Sequence, residues 1–88
     1  MLTTVRDLGA AVRHGRVQAG LSQQELADRA GVHRQWVTRL ETGASPAAEM
    51  RKVFDVLAVL GLAVELVPMR SNDDDENDDP FADMFGRQ

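Results

Sequence analysis

The sequence predicts a mainly α-helical fold of about four helices, and three observations carry that prediction. Residues 21–43 read LSQQELADRAGVHRQWVTRLETG, two short apolar-periodic runs joined through Gly31, which is the outline of a helix-turn-helix. Longer runs with helical spacing flank it on both sides, at about 5–19 and about 46–60, each closed by a glycine (Gly20, Gly61). With 88 residues and no cysteine, the chain has room for one small core and no disulfide or thiolate zinc to staple it. A core of that size is marginal, so a second copy is a natural supplement.

The first helix is expected from Val5 to about Ala19. Thr4 supplies an N-cap oxygen, and Asp7 falls in the first turn where the helix dipole favours an anion. Val5, Leu8, Val12 and Ala19 follow helical spacing with Gly15 on the same side. Gly9 and Gly15 each cost about 1 kcal/mol relative to Ala; a close approach by a neighbouring helix is one reason to retain them. His14, alone beside Arg13, reads as a surface residue with no metal role.

Ser22 and Glu25 form a capping box at the start of the second helix, each satisfying a backbone donor near the other. Leu26, Ala27 and Ala30 give this helix a small apolar face; Gly31 then admits positive φ for a sharp turn, under which Val32 can tuck. The third helix, His33 to Thr42, is read at about 100° per residue. Val37 and Leu40 share a face with His33, while Gln35, Thr38, Arg39 and Thr42 fall opposite, with Arg34 and Trp36 on the flanks. In isolation such a face is merely solvated. Behind a capped helix and a glycine turn it becomes a base-reading face, since Gln pairs with adenine and Arg with guanine in the major groove.

Ser45-Pro46 reads as a cap followed by Pro at the first helical position, starting a fourth helix from about Pro46 to Leu60. Met50, Val53, Phe54, Leu57 and Leu60 mark its expected core side, and Arg51, Lys52 and Asp55 its wet side. From Leu62 the period changes: Leu62, Val64 and Leu66 alternate with Ala63, Glu65 and Val67 until Pro68, the pattern of a β-strand. A lone strand in a helical domain leaves an unpaired edge. Pairing with the same strand of a second chain would satisfy it, with Leu62, Val64 and Leu66 as dimerisation residues; an irregular arm or a longer fourth helix are the alternatives.

Residues 1–70 form the expected DNA-binding and dimerisation domain, and 71–88 an acidic tail. The tail, SNDDDENDDPFADMFGRQ, carries seven acids against Arg87, whereas residues 1–70 hold nine Lys/Arg against seven Asp/Glu. The overall charge of −4 therefore belongs to the tail and does not argue against a nucleic-acid partner. Its composition predicts disorder. After Asp79-Pro80, however, Phe81, Met84 and Phe85 fall on one face at i, i+3 and i+4, a minimal amphipathic segment suited to docking in a partner's groove. A solubilising tail, or one that competes with DNA for the domain's own basic face, remains open beside that reading.

Paired nucleophiles and bases, a glycine-rich phosphate loop and metal-ligand clusters are all missing from the sequence, so neither an enzyme nor a bound metal or cofactor is expected. No stretch approaches the roughly 20 apolar residues of a membrane span and no leader-like segment opens the chain, which leads to the expectation of a cytoplasmic protein without a membrane partner.

The motifs Gly20-Leu21-Ser22-Gln23, Leu26-Ala27, Gly31-Val32 and Leu40-Glu41-Thr42-Gly43 resemble the Cro/lambda-repressor (Xre-like) helix-turn-helix family, and the resemblance extends over about Thr4 to Leu60. It implies a lambda-repressor-like domain in which Arg34, Gln35 and Arg39 contact bases while Gln23 and Thr42 lie near phosphates. It also implies that Arg16 pairs with Glu41, tying the first helix to the end of the third. Two departures stand out: His33 replaces the usual Ser or Thr cap of the third helix, and Trp36 stands where a small residue is common. The DNA-binding set is thus Gln23, His33, Arg34, Gln35, Trp36, Thr38, Arg39 and Thr42, with Gln35 and Arg39 foremost. A helix-turn-helix followed by a terminal strand is most similar to HipB-type antitoxins. That similarity implies a homodimer on palindromic double-stranded operator DNA, autorepression, and a HipA-like kinase toxin as partner. A stand-alone Xre-like regulator, or an interaction module that has lost DNA binding, are the other readings.

Overall fold

The computed structural model describes residues 2–69. They form four helices, α1 (Val5–Gln18), α2 (Gln23–Ala30), α3 (Arg34–Glu41) and α4 (Met50–Val59), so the mainly α, helix-turn-helix expectation holds. The 71–88 tail, including Phe81, Met84 and Phe85, lies outside the described residues.

The first helix starts where Thr4, in extended backbone, accepts from the Asp7 N–H at 3.0 Å, while Asp7 accepts from the Thr3 N–H at 3.2 Å. It stops in a Schellman arrangement: Leu21 N–H donates to the Arg16 carbonyl at 3.1 Å and Gly20 N–H to the Val17 carbonyl at 3.0 Å. Between these ends, α1 meets α3 backbone to backbone at Gly9. A Cβ on Gly9 would stand 1.9 Å from the Leu40 carbonyl oxygen, so only glycine fits. That contact explains the apparent cost of a glycine inside the helix.

Val12 of α1, Leu26 and Ala27 of α2, Val37 and Leu40 of α3, and Val53, Val56 and Leu57 of α4 form the buried core. Leu26 and Leu40 are completely removed from solvent, each contributing about 2 kcal/mol of burial. Leu8, Ala30, Val32, Trp36 and Leu60 pack around its edge.

The fourth helix departs from expectation in two ways. It begins at Met50 with Glu49 as N-cap, four residues later than Pro46. Residues 45–48 instead close a turn in which the Ala48 N–H donates to the Ser45 carbonyl at 3.1 Å. Proline's fixed φ suits the second position of such a turn as well as the first position of a helix, and here the turn wins. Met50 and Phe54, expected in the core, are 56% and 50% exposed. Burial falls on Val53, Val56 and Leu57, a narrower stripe of the same helix.

Beyond Gly61, the Leu62 N–H donates to the Leu57 carbonyl at 2.9 Å and ends α4, so residues 62–69 do not prolong the helix. They form an exposed arm with neither helical nor strand structure within this one chain. Leu62 leans back over α1, its Cδ1 3.1 Å from where a Cβ on Gly15 would be. Among the described residues, no helix is long and apolar enough to cross a membrane.

Candidate nucleic-acid interface

The interface is built from the α2–turn–α3 unit. Ser22 accepts from the Glu25 N–H at 3.0 Å and Glu25 accepts from the Ser22 N–H at 2.8 Å, completing the capping box. Those two bonds, the backbone one first, hold the Glu25 carboxyl below its ordinary range. At the other end Gly31 takes φ 73°, and Val32 N–H donates to the Ala27 carbonyl at 3.0 Å, turning the chain toward α3. The third helix then opens at His33, whose backbone is extended and whose side chain makes no capping bond. The loss of a Ser or Thr at this position removes a bond usually contributing about 1 kcal/mol. What holds α3 is therefore packing: Val37 and Leu40 are fully buried on its inner side.

With the inner side fixed, His33, Arg34, Gln35, Arg39 and Thr42 are exposed. The side chains of Arg34, Gln35 and Arg39 have no hydrogen-bond or ion-pair partner among the described residues. Two guanidinium groups and an amide thus stand free on one short helix. Trp36 is half-buried and packs against the core edge. The Lys52 ammonium lies 6.0 Å from its ring centroid and 3.5 Å from Glu49, which makes Trp36 a rim residue joining α3 to α4. Thr42 donates its hydroxyl proton to the Arg39 carbonyl at 3.2 Å.

Gln23 and Thr38 are held differently. Arg16 Nε donates to Glu41 Oε2 at 2.7 Å and Nη2 to Oε1 at 3.1 Å, while Nη1 donates to the Leu21 carbonyl at 2.9 Å. The expected Arg16–Glu41 pair is present and bidentate, with side chains 12% and 1% exposed. The bond to Glu41 raises the guanidinium's already high pKa further. Gln23 Nε2 also donates to Glu41 Oε1, at 3.1 Å, and Gln23 Oε1 accepts from the Thr38 hydroxyl at 2.8 Å. A continuous chain of bonds thus runs from α1 through the end of α3 to the first turn of α2 and back to the outer face of α3. No buried side-chain nitrogen or oxygen among the described residues is left without a partner.

Sequence reasoning anticipated the ion pair but not its extension through Gln23 to Thr38, fifteen positions apart. No periodicity links such residues; only the α2–α3 packing brings them together. Leu62, Val64 and Leu66, the proposed dimerisation residues, sit on the arm and are exposed, Leu66 by 85%. Among the described residues, no three His, Asp or Glu side chains gather as a metal site.

Such an architecture, with a third helix anchored inside and unpaired polar groups outside, defines a helix-turn-helix protein. Residues 7–68 match the family model for the helix-turn-helix domain. The chain is 39% identical over 66 residues to the uncharacterized HTH-type transcriptional regulator y4mF of Sinorhizobium fredii, covering 75% of this chain and 86% of that one. It belongs to the helix-turn-helix domain family, as a transcriptional regulator and not an enzyme. Its fold is similar to a chain in the solved HipB–O4 20mer complex, with a TM-score of 0.73 and 23% identity over 80% of this chain and 97% of that one. A chain in the HipA–HipB–O2–O3 complex is similar at a TM-score of 0.71 and 24% identity, again covering 80% of this chain and 97% of that one.

Proposed function

We propose that this regulator is a homodimeric, cytoplasmic repressor that binds a palindromic operator and serves as the antitoxin of a type II toxin–antitoxin pair. The observation that carries the DNA part is the outer face of α3, where Arg34, Gln35 and Arg39 are exposed and have no partner among the described residues, on a helix whose inner side is pinned. In this reading Gln35 and Arg39 read bases, with Arg34 and Thr38 beside them. Gln23 keeps a second amide hydrogen for a phosphate, as an amide carries two, and Thr42 and His33 lie along the backbone of the duplex. Trp36 supports the helix from its flank. Two copies place their α3 helices in successive major grooves about 34 Å apart.

Support for the homodimer comes from the arm. Its alternation of Leu62, Val64 and Leu66, all exposed in the single chain, suits a strand that pairs with its counterpart across a two-fold axis. Residues 1–70 would then be the complete DNA-binding and dimerisation unit. The antitoxin assignment is supported by the fold shared with HipB chains along nearly their whole length, including one solved together with HipA. In it, the acidic 71–88 tail contributes Phe81, Met84 and Phe85 to the contact with a HipA-like toxin.

An N-terminally tagged full chain recovered from its native cell tests this directly, because the tag leaves the tail free. The expected result is a stoichiometric toxin partner that is lost on deletion of 71–88. Recovery of the chain alone, as a dimer that binds DNA, would instead make it a stand-alone regulator.

A further inference from the structure

On the outer face of α3, the hydrogen-bonding direction of Thr38 is dictated by a chain of side chains from inside the protein. The chain of causes begins at Glu41, a carboxylate that can only accept. It receives Nε and Nη2 of Arg16 and Nε2 of Gln23. This fixes the Gln23 amide, because the opposite orientation would set Oε1 against the Glu41 carboxylate. With Nε2 committed to Glu41, Oε1 faces Thr38 at 2.8 Å, and an amide oxygen can only accept. The Thr38 hydroxyl must therefore supply the proton. Its other neighbour, the Arg34 carbonyl at 3.1 Å, is an acceptor as well. Both protein partners draw on the same single hydrogen, and the remainder of the oxygen is lone pair.

We infer that Thr38 meets the operator as a hydrogen-bond acceptor and is a specificity-determining residue for adenine or cytosine. A free threonine hydroxyl can pair with donors or acceptors on base edges. This one takes a bond only from an exocyclic amino group, adenine N6 or cytosine N4, and not from guanine O6 or thymine O4. Each base pair offers one such amino group in the major groove, on one of its two bases. The restriction therefore selects which strand carries the amino base at that step, and so the orientation of the pair. Gln23 acts here as a positioning residue: it hands the polarity of the Arg16–Glu41 pair to the surface. The inference rests on the reading of α3 as the base-contacting helix.

The test starts from the duplex that the full-length protein selects out of a random library. Affinities are then measured for wild type, Thr38→Val and Thr38→Ser on that duplex. They are repeated on versions in which single amino groups are deleted, purine replacing adenine and 2-pyrimidinone replacing cytosine. Valine matches threonine in shape, and circular dichroism and thermal melting confirm that each variant is folded. At one position per half-site, deleting the amino group should weaken wild type and Thr38→Ser about 3- to 10-fold. Thr38→Val should bind the intact duplex more weakly by a similar factor and be indifferent to the deletion. The inference is overturned if the Thr38-dependent position carries guanine or thymine on the contacted strand. It is equally overturned if Thr38→Val suffers from amino deletion as wild type does, or matches wild type on every duplex. A selection that enriches no sequence at all would be a different result, one that removes the operator-binding reading itself.

Discussion

The α1–α3 side of the molecule and the α4–arm side are finished to different degrees. Around α1, α2 and α3 the chain closes on itself. The Thr4 and Ser22 caps are made, Gly9 lets α1 meet the Leu40 carbonyl, and the buried Glu41 carboxylate is bonded by Arg16 and Gln23. On the other side, α4 buries Val53, Val56 and Leu57 but leaves Met50 and Phe54 in solvent, and the arm exposes Leu62, Val64, Leu66, Val67 and Met69. The difference teaches where the chain is self-sufficient and where a partner has work to do. A base-reading helix needs a rigid seat before DNA arrives, because side-chain direction decides specificity. The arm beyond Leu62 leaves Val64, Leu66, Val67 and Met69 exposed among the described residues, and in the proposed dimer a second chain would cover them.

The strongest blow to this contrast falls on the self-sufficient side. Arg16→Ala leaves Glu41, almost wholly buried, with Gln23 as its one remaining side-chain donor among the described residues. Breaking a buried pair from one side costs about 3–5 kcal/mol, much of the stability of a domain this small. Urea unfolding should show that loss, while Arg39→Ala, on an exposed side chain, should shift stability by no more than about 0.5 kcal/mol. Equal stability of Arg16→Ala and wild type would remove the seat from the argument.

Leu66→Ala probes the unfinished side. Leu66 is 85% exposed in the single chain, so melting of the dilute monomer should be unchanged. In a symmetric dimer the contact is lost twice, and at about 1.5 kcal/mol per truncated side chain association should weaken by about 3 kcal/mol. Sedimentation velocity across a concentration series reads this. An unshifted dimer would place the two-fold interface elsewhere, with the exposed Phe54 face of α4 the next surface to mutate.

Gln35→Ala sharpens the contrast on the DNA side. The side chain is exposed and bonded to nothing among the described residues, so stability should hold. Discrimination at one base pair should fall by about 1–3 kcal/mol in competition binding. Uniform weakening over all duplexes would show that Gln35 positions the helix and does not read sequence.

The same contrast explains which features were legible beforehand. Local chemistry was: Ser22 and Glu25 are three residues apart, Gly31 sits at the turn, and Val37 and Leu40 share a face by helical angle alone. The Arg16–Glu41 pair was legible through family resemblance, which compresses tertiary information into a motif. Contacts created by packing were not. The family resemblance puts Gln23 near phosphates, but nothing in the sequence shows that its amide also spans Glu41 and Thr38. The start of α4 is not legible in sequence because Ser45-Pro46 suits a turn and a helix N-terminus equally, and the bond from Ala48 to Ser45 decides for the turn. Met50 and Phe54 fit an amphipathic stripe, but α1–α3 cover only the narrower face at Val53, Val56 and Leu57. Sequence periodicity reports that a residue is apolar, not which chain will cover it.

The smallest expected effect concerns pH and the α2 cap, on the self-sufficient side. Glu25 is fully exposed, and its carboxyl is held below the ordinary range first by the Ser22 N–H and then by the Ser22 hydroxyl. The folded state thus binds this proton less readily than the unfolded chain. The group's contribution is fully present above the unfolded value, about 4.3, and is lost as pH falls through the lower folded value. Glu25→Gln keeps an acceptor for the Ser22 N–H but carries no titrating charge. Thermal melts at stepped pH should therefore show wild type slightly more stable near neutrality, with the gap closing on acidification below about 4.3. A gap that stays constant across that range would mean the cap stabilises α2 through hydrogen-bond geometry alone, with no contribution from the carboxylate's charge beside the positive end of the helix.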